Sequence, residues 1–174
     1  MALSLTSLGA YVWVDQPYNR TMKSQTVSTF KVVGVATRIA NVEGNSVEEV
    51  EALWGKFWGN DIRNKVPNRL GEEFYAVSTD YASDYQGPYT LIIGVAVESF
   101  DDVPEGLEAI IIESDTYEKF VSKGKMPDAI LRTWFEIWED KSLTRAYRTD
   151  FTVHGAKYID GDHAEVETFI SIKE

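Results

Sequence analysis

The chain contains no cysteine and only two histidines, His154 and His163. Without cysteine, disulfide bonds, thiolate metal sites and cysteine nucleophiles are excluded. A metal site built on the histidines would need carboxylates as well, and Asp160 and Asp162 beside His163 are more typical of a turn. We therefore expect no metal, no other cofactor and no catalytic residue. The lack of cysteine agrees with a reducing, cytoplasmic location.

Long apolar runs and positive charge are also scarce. No segment approaches the roughly 20 apolar residues that span a bilayer, and the first 25 residues lack the pattern of a signal peptide. Seventeen Lys and Arg stand against 28 Asp and Glu, which gives a net charge of -11. Such a charge repels nucleic-acid phosphates and attracts organic cations. Direct binding to nucleic acid or membrane is therefore not expected.

Recognised phosphate and nucleophile motifs are absent from the sequence. There is no Gly-Lys-Ser/Thr phosphate loop, no GxGxxG after a strand, and no Gly-x-Ser-x-Gly elbow. Aromatic residues, in contrast, are abundant, with five Trp, nine Tyr and eight Phe. Because Tyr and Trp carry polar groups that are hard to satisfy in a dry core, this surplus predicts rings that line a cavity.

The hydrophobic pattern predicts an arm at residues 1–25 and one folded domain at 26–174, built from two similar halves at about 28–100 and 105–174. Each half is expected to contain a strand, a helix and two further strands. In the first half these elements are predicted at 30–39, 46–62, 74–79 and 89–97. In the second half the strand is predicted at 106–113, with a short piece at 117–121, a helix at 127–140, and strands at 150–154 and 164–172.

Both predicted helices carry two Trp residues at positions i and i+4. These are Trp54 and Trp58 in the first helix, and Trp134 and Trp138 in the second. Residues at this spacing share one helical face. The repeated pair supports a duplication whose halves leave a cleft between them. The apolar face of the second helix is predicted to consist of Ile130, Leu131, Trp134, Ile137 and Trp138.

Several motifs resemble the GyrI-like effector-binding domains, and in particular the integron-associated effector-binding proteins. These proteins are relatives of the ligand-sensing domains of AraC-type and MerR-type multidrug regulators. The resemblance covers about residues 28–173. It is carried by the segments 75–81, 87–90, 93–94, 103–107, 134–138, 145–147 and 150–151.

The resemblance implies an α+β fold with a pseudo-symmetric duplication of strand-helix-strand-strand, whose curved antiparallel sheets form an incomplete barrel around a central pocket. It further implies that bulky hydrophobic, often cationic, compounds bind between aromatic side chains and a buried carboxylate. The family usually has a glutamate and a tyrosine where this chain has Thr152 and His154. Asp150 shares a strand face with both. The carboxylate could therefore be Asp150, or one of Glu73, Glu136, Glu165 and Glu167. Alternatively, the pocket is neutral and Thr152 and His154 form hydrogen bonds.

The predicted function is non-catalytic binding of a small hydrophobic, cationic organic ligand, as a stand-alone sensor or sequestering module, or as the partner of a DNA-binding regulator. Two alternatives are a protein-interaction module related to gyrase modulators and a hydrolase of strained-ring electrophiles. The absence of glutamate at position 152 argues against the hydrolase. The predicted ligand-binding residues are Trp54, Trp58, Tyr75, Tyr89, Trp134, Trp138, Tyr147, Phe151, Asp150, Thr152 and His154.

Overall fold

The computed structural model describes residues 24–40 and 45–174. The predicted arm lies outside the described residues, except for Ser24 and Gln25, which belong to the first strand. The helices are α1 (Asn45–Gly59), α2 (Ile62–Lys65) and α3 (Asp128–Glu139). The strands are β1 (Ser24–Val27), β2 (Phe30–Ala40), β3 (Phe74–Thr79), β4 (Pro88–Val97), β5 (Glu108–Ile112), β6 (Asp115–Lys123), β7 (Thr149–His154) and β8 (Glu165–Ser171).

The observed elements follow the predicted order closely. The strand predicted at 74–79 is β3 with the same bounds, while the short piece predicted at 117–121 is the longer strand β6, Asp115–Lys123. The first predicted helix is divided into α1 and α2, because Asp61 between them has a left-handed backbone conformation with φ of 51°. The prediction of an α+β fold is confirmed.

All strand pairs are antiparallel, and the eight strands form one sheet in the order β1-β6-β8-β7-β3-β4-β2-β5. Read from the outer strands toward the centre of this order, the first half contributes β2, β4 and β3. The second half contributes the corresponding strands β6, β8 and β7 from the other side. The halves meet where β3 pairs with β7, and Ala76 lies opposite Thr152 in this pair. The topology therefore repeats about the centre of the sheet, as the duplicated sequence pattern predicts.

The sheet is curled because two long, interrupted strands pair with each other. Only two residues separate β1 from β2, and only two separate β5 from β6. Val27 pairs with Asp115 before the interruption, and Phe30 pairs with Ile112 after it, so one register continues across both breaks. The strands at opposite ends of the sheet order are thus joined through the chain, and the sheet forms an incomplete barrel.

Residues alternate between the inside of this barrel and its outside, where α1 and α3 pack. The interior holds the buried cluster Val32, Val77, Ile92, Ile112, Tyr117, Phe151 and Phe169. On the outer face, Leu53 and Phe57 of α1 pack into a second cluster with β2 and β4. Ile137 of α3 packs into a third, smaller cluster with Phe120 and Ile170.

The predicted apolar face of α3 is only partly correct. The residues of α3 that are buried are Ala129, Thr133 and Ile137, whereas Leu131 is 48% exposed. Small residues at this seam let α3 approach β6 closely, where Ser122 donates a 2.7 Å hydrogen bond to the Thr133 hydroxyl. Thr133 in turn donates to the carbonyl oxygen of Ala129, 3.1 Å away. The periodicity of apolar residues does not predict this buried face, because Ala129 is small and Thr133 is polar.

Gly34 and Gly94 face each other across the β2–β4 pair. A Cβ atom on Gly34 would lie 2.1 Å from the carbonyl oxygen of Ile93, and one on Gly94 would lie 2.3 Å from that of Val33. Gly34 and Gly94 therefore mark a close approach of the β2 and β4 backbones. Both contacts are to main-chain atoms, which no side-chain rotation can move aside.

We expect Gly34→Ala to lower the free energy of unfolding by about 2–3 kcal/mol, since the added carbon forces β2 and β4 apart. Gly55→Ala in α1 is the matched control. Its Cβ meets no atom within 4 Å, and Ala is favoured over Gly in a helix by about 1 kcal/mol. Urea denaturation measures both changes, and equal effects of the two substitutions would contradict the close approach.

Candidate functional site

A cleft of about 520 Å³ opens where the barrel is incomplete, between β1 and the segment that leads into β3. Its volume is in the range of small-molecule sites. Edge strand β1 and the link to β2 form one rim, and the loop before β3 forms the other. The residues that line the cleft are Gln25, Thr26, Val27, Ser28, Phe30, Leu70, Gly71, Glu73, Tyr75, Ala96, Phe151, Val153 and Phe169.

Four aromatic rings from four strands form a continuous floor in the cleft. The Phe30 ring lies 5.5 Å from Tyr75 and 5.2 Å from Phe151, measured between centroids. Phe151 stacks on Phe169 at 4.8 Å, with 13° between the ring planes. Ring faces carry negative charge density and attract cations as well as apolar groups. The rings therefore give the cleft an apolar surface of a kind that interacts with apolar groups and with cations.

Tyr75 and Phe151 are the two predicted ligand-binding residues that line this cleft. The other nine predicted residues lie outside its lining. Trp54 and Trp58 are on α1, and Trp134 and Trp138 are on α3, so all four belong to the outer layer. The remaining five are Tyr89, Tyr147, Asp150, Thr152 and His154.

Phe30 and Phe169 line the cleft but were missed by sequence reasoning. Phe169 pairs directly with Phe151 across β7 and β8, so strand pairing places it on the same face. The period-two alternation around Phe151 identifies the inward-facing side of β7. Alternation within β7 does not specify which strand pairs with it or in which register. It therefore could not identify Phe169 as the neighbour of Phe151.

Asp150, the first alternative to the family glutamate, is fully buried. It accepts hydrogen bonds from Arg145 Nη2 at 2.7 Å, from the Tyr81 hydroxyl at 2.8 Å, and from the backbone N–H and hydroxyl of Ser171 at 2.7 and 3.0 Å. Both carboxylate oxygens are therefore occupied by donors from the chain itself. Asp150 offers no free charge to a ligand.

The guanidinium of Arg145 lies in an aromatic and acidic cage formed by the chain itself. Its Cζ atom is 4.4 Å from the centroid of the Tyr147 ring and 6.0 Å from that of Tyr81. Burial would lower the pKa of Arg145, but the charge and hydrogen bond of Asp150, together with Tyr81 and Tyr147, outweigh burial, and the pKa is raised. Rings and a carboxylate, the combination predicted to bind a cationic ligand, here surround the side chain of Arg145.

Replacing Arg145 with Met should lower the free energy of unfolding by about 3–5 kcal/mol, because it leaves the Asp150 charge buried without its partner. Arg148→Met is the control. Arg148 pairs with Asp115 through a side chain that is 51% exposed, and loss of an exposed pair costs about 1 kcal/mol or less. Chemical denaturation of both variants measures the difference, and similar losses would refute the burial argument.

Thr152, at the position of the family glutamate, forms a hydrogen bond with His154. Its Oγ1 lies 2.9 Å from the histidine Nε2, and both residues are buried. The imidazole stacks on Phe74 at 4.8 Å and meets Trp54 and Tyr158 edge-on at 5.2 and 4.9 Å. Burial lowers the pKa of His154 to about 3, so this pair is neutral at pH 7.

The buried histidine should make stability depend on pH. Because the folded-state pKa is about 3 and the ordinary value is 6.5, the unfolded chain takes up the proton first. Stability is therefore intact above pH 6.5 and is lost as pH falls from 6.5 toward 3. We expect His154→Phe to remove about 2 kcal/mol of the loss between pH 7.5 and 5.0.

Urea denaturation at the two pH values measures this effect in the wild type, His154→Phe and His163→Gln. His163 is exposed, so its substitution should leave the pH dependence of the wild type unchanged. If His154→Phe shows the same loss as the wild type, the histidine is not held neutral by burial.

Within residues 24–40 and 45–174, no helix is both long and apolar enough to cross a membrane. The same residues contain no group of three or more His, Asp or Glu side chains placed to share a metal ion.

The chain matches known proteins over most of its length. Residues 25–172 match the family model for the integron-associated effector-binding protein. YobU of Bacillus subtilis strain 168, whose name describes it as a candidate transcriptional regulator, is 26% identical over 148 residues. That alignment covers 83% of this chain and 92% of YobU.

The fold is shared with solved structures, among them the following two. The integron cassette protein VCH_CASS2, from the mobile metagenome of Vibrio cholerae, aligns with a TM-score of 0.72 and 24% identity, and the alignment covers 90% of this chain and 97% of that one. SAV2435 bound to tetraphenylphosphonium aligns with a TM-score of 0.71 and 14% identity, over 87% and 93% of the two chains. The resemblance inferred from sequence is thereby confirmed, and the chain belongs to the integron-associated effector-binding protein family.

Proposed function

We propose that this protein binds bulky hydrophobic organic cations in the cleft of the incomplete barrel and releases them unchanged. The observation that carries the proposal is the floor of Phe30, Tyr75, Phe151 and Phe169 in a cleft of about 520 Å³. Each well-placed ring can contribute roughly 0.5–2 kcal/mol to cation binding. Membership of an effector-binding family and the phosphonium complex of SAV2435 support the same class of ligand.

The placement of the remaining polar groups favours binding over turnover. Asp150 is held by Arg145, Tyr81 and Ser171, and His154 is enclosed by aromatic rings. Neither residue lines the cleft, so neither can serve as a proton donor or acceptor there. Besides the carboxylate of Glu73, a ligand in the cleft would meet rings, aliphatic groups and uncharged polar side chains.

The biological role that we propose is effector sensing or sequestration. The relationship to YobU supports a link to transcription regulation, with a DNA-binding regulator as the protein partner. The excess of 28 acidic over 17 basic residues favours cations near the surface and disfavours direct contact with nucleic acid. Ligand binding in the cleft is the step common to both roles.

Isothermal titration calorimetry with tetraphenylphosphonium tests the proposal. We expect saturable binding by the wild type and weaker binding by Tyr75→Leu. The loss should be about three- to tenfold, because one ring of the floor is removed. Tyr75 is only partly buried, so this variant is expected to remain folded, and circular dichroism checks that it does.

Trp58→Leu is the matched control for the position of the site. Trp58 lies on α1 outside the cleft lining and is 48% exposed, so its substitution should not change the affinity. Weaker binding by Trp58→Leu, with Tyr75→Leu unchanged, would move the site to the outer face. Failure of the wild type to bind a panel of hydrophobic cations would overturn the proposed function.

A further inference from the structure

Among the residues that the structure describes, the lining of the cleft contains one acidic side chain, Glu73, and no Lys or Arg. We infer that the Glu73 carboxylate is the counter-charge for the ligand and makes the cleft selective for monovalent organic cations over neutral molecules of the same shape. This inference rests on the proposed function and identifies the residue that determines charge selectivity.

The position of the carboxylate depends on the absence of a side chain at residue 71. A Cβ atom on Gly71 would lie 2.5 Å from Glu73 Oε2. The carboxylate therefore lies directly over the Gly71 backbone, at the rim of the cleft. On its other side, a Cβ on Gly155 would lie 3.8 Å from Glu73 Cγ. The separation at Gly155 is an ordinary van der Waals contact, so it is Gly71 whose missing side chain leaves room for the carboxylate.

Glu73 has no salt-bridge partner among the residues that the structure describes, whereas its neighbour Glu72 has two. Glu72 forms ion pairs with Arg63 and with Arg69, the latter at 3.3 Å. The two adjacent acids thus differ in their surroundings, since Glu72 pairs with two arginines, whereas Glu73 lines the cleft with Tyr75 and has no ion-pair partner within the described part of the chain. An unpaired carboxylate next to ring faces is the arrangement that binds an organic cation.

The charge of Glu73 reaches the floor of the cleft. Burial raises the pKa of Tyr75, and the negative charge of Glu73 raises it further. The same negative potential that disfavours a phenolate at Tyr75 favours a cation above the ring.

The other acids proposed from the sequence are placed elsewhere. Asp150 is neutralised by Arg145 at 2.7 Å. Glu165 pairs with Lys157 at 3.0 Å and Glu167 with Lys119 at 2.6 Å, and Glu136 lies on α3 in the outer layer. None of these four lines the cleft. The unpaired carboxylate at the cleft is therefore supplied by the loop before β3 and not by β7, where the family usually has it.

A pair of ligands of similar shape and different charge tests the inference. Methyltriphenylphosphonium is cationic, and triphenylphosphine oxide is neutral. We expect Glu73→Gln to weaken binding of the cation about fivefold and to change binding of the neutral compound by less than about twofold. Affinities are measured by calorimetry at low ionic strength, and the difference should shrink as salt is added.

Glu72→Gln is the matched control, because it makes the same change in net charge at the adjacent residue, which does not line the cleft. It should leave both affinities within about twofold of the wild type. Gly71→Ala is a second test at unchanged charge. Its Cβ must displace the Glu73 carboxylate, so it should weaken cation binding about two- to fivefold and spare the neutral compound.

The outcomes separate the inference from the proposed function. If the wild type binds the cation and Glu73→Gln binds it equally well, the inference is overturned and the proposed function stands. Equal weakening by Glu72→Gln and Glu73→Gln would also overturn it, since the effect would then come from net charge. If the wild type binds neither compound, the proposed function fails and the inference fails with it.

Discussion

The pairing between two interrupted strands, β1–β2 and β5–β6, is the constraint on which the rest of the structure depends. Because one register runs through both interruptions, a sheet that would otherwise be open is forced to curl. Curling gives the strands an inside and an outside, and the alternation of side chains then sorts the aromatic residues. Phe30, Tyr75, Phe151 and Phe169 face inward, whereas the tryptophans of α1 and α3 remain on the outer layer.

The same chemistry occurs twice in this molecule, with opposite consequences. In the buried cluster, Asp150 and the rings of Tyr81 and Tyr147 surround the guanidinium of Arg145, so the cage is filled and serves stability. In the cleft, rings and a carboxylate lie together with no basic side chain from residues 24–40 or 45–174, which is the arrangement on which the proposed ligand site rests. The two places differ in that the cluster around Asp150 already contains a cation of the chain, the guanidinium of Arg145.

Much of the fold could be predicted from the sequence, because strand alternation, helix periodicity and the repeated Trp pair are local signals. The lining of the cleft was harder to predict. It contains Tyr75 and Phe151, which are among the predicted ligand-binding residues, but Phe30 and Phe169 join them only through pairings between distant strands. The four tryptophans were also among the predicted ligand-binding residues, yet α1 and α3, which carry them, pack on the outside of the sheet. Which side of a curled sheet its helices cover is a property of topology, and no local pattern specifies it.

The central strands also impose an orientation on whatever occupies the cleft. Tyr75 lies one residue before Ala76, and Phe151 lies one residue before its partner Thr152, so the duplicated scaffold supplies an aromatic ring from each half. Three residues before the same central positions, the first half has Glu73 and the second has Thr149. The two halves therefore place an aromatic ring at equivalent positions, whereas at the position of Glu73 the second half has the uncharged Thr149. With Glu73 as the proposed counter-charge, a molecule with two identical cationic ends is expected to be held by one end, with the other directed away from Glu73.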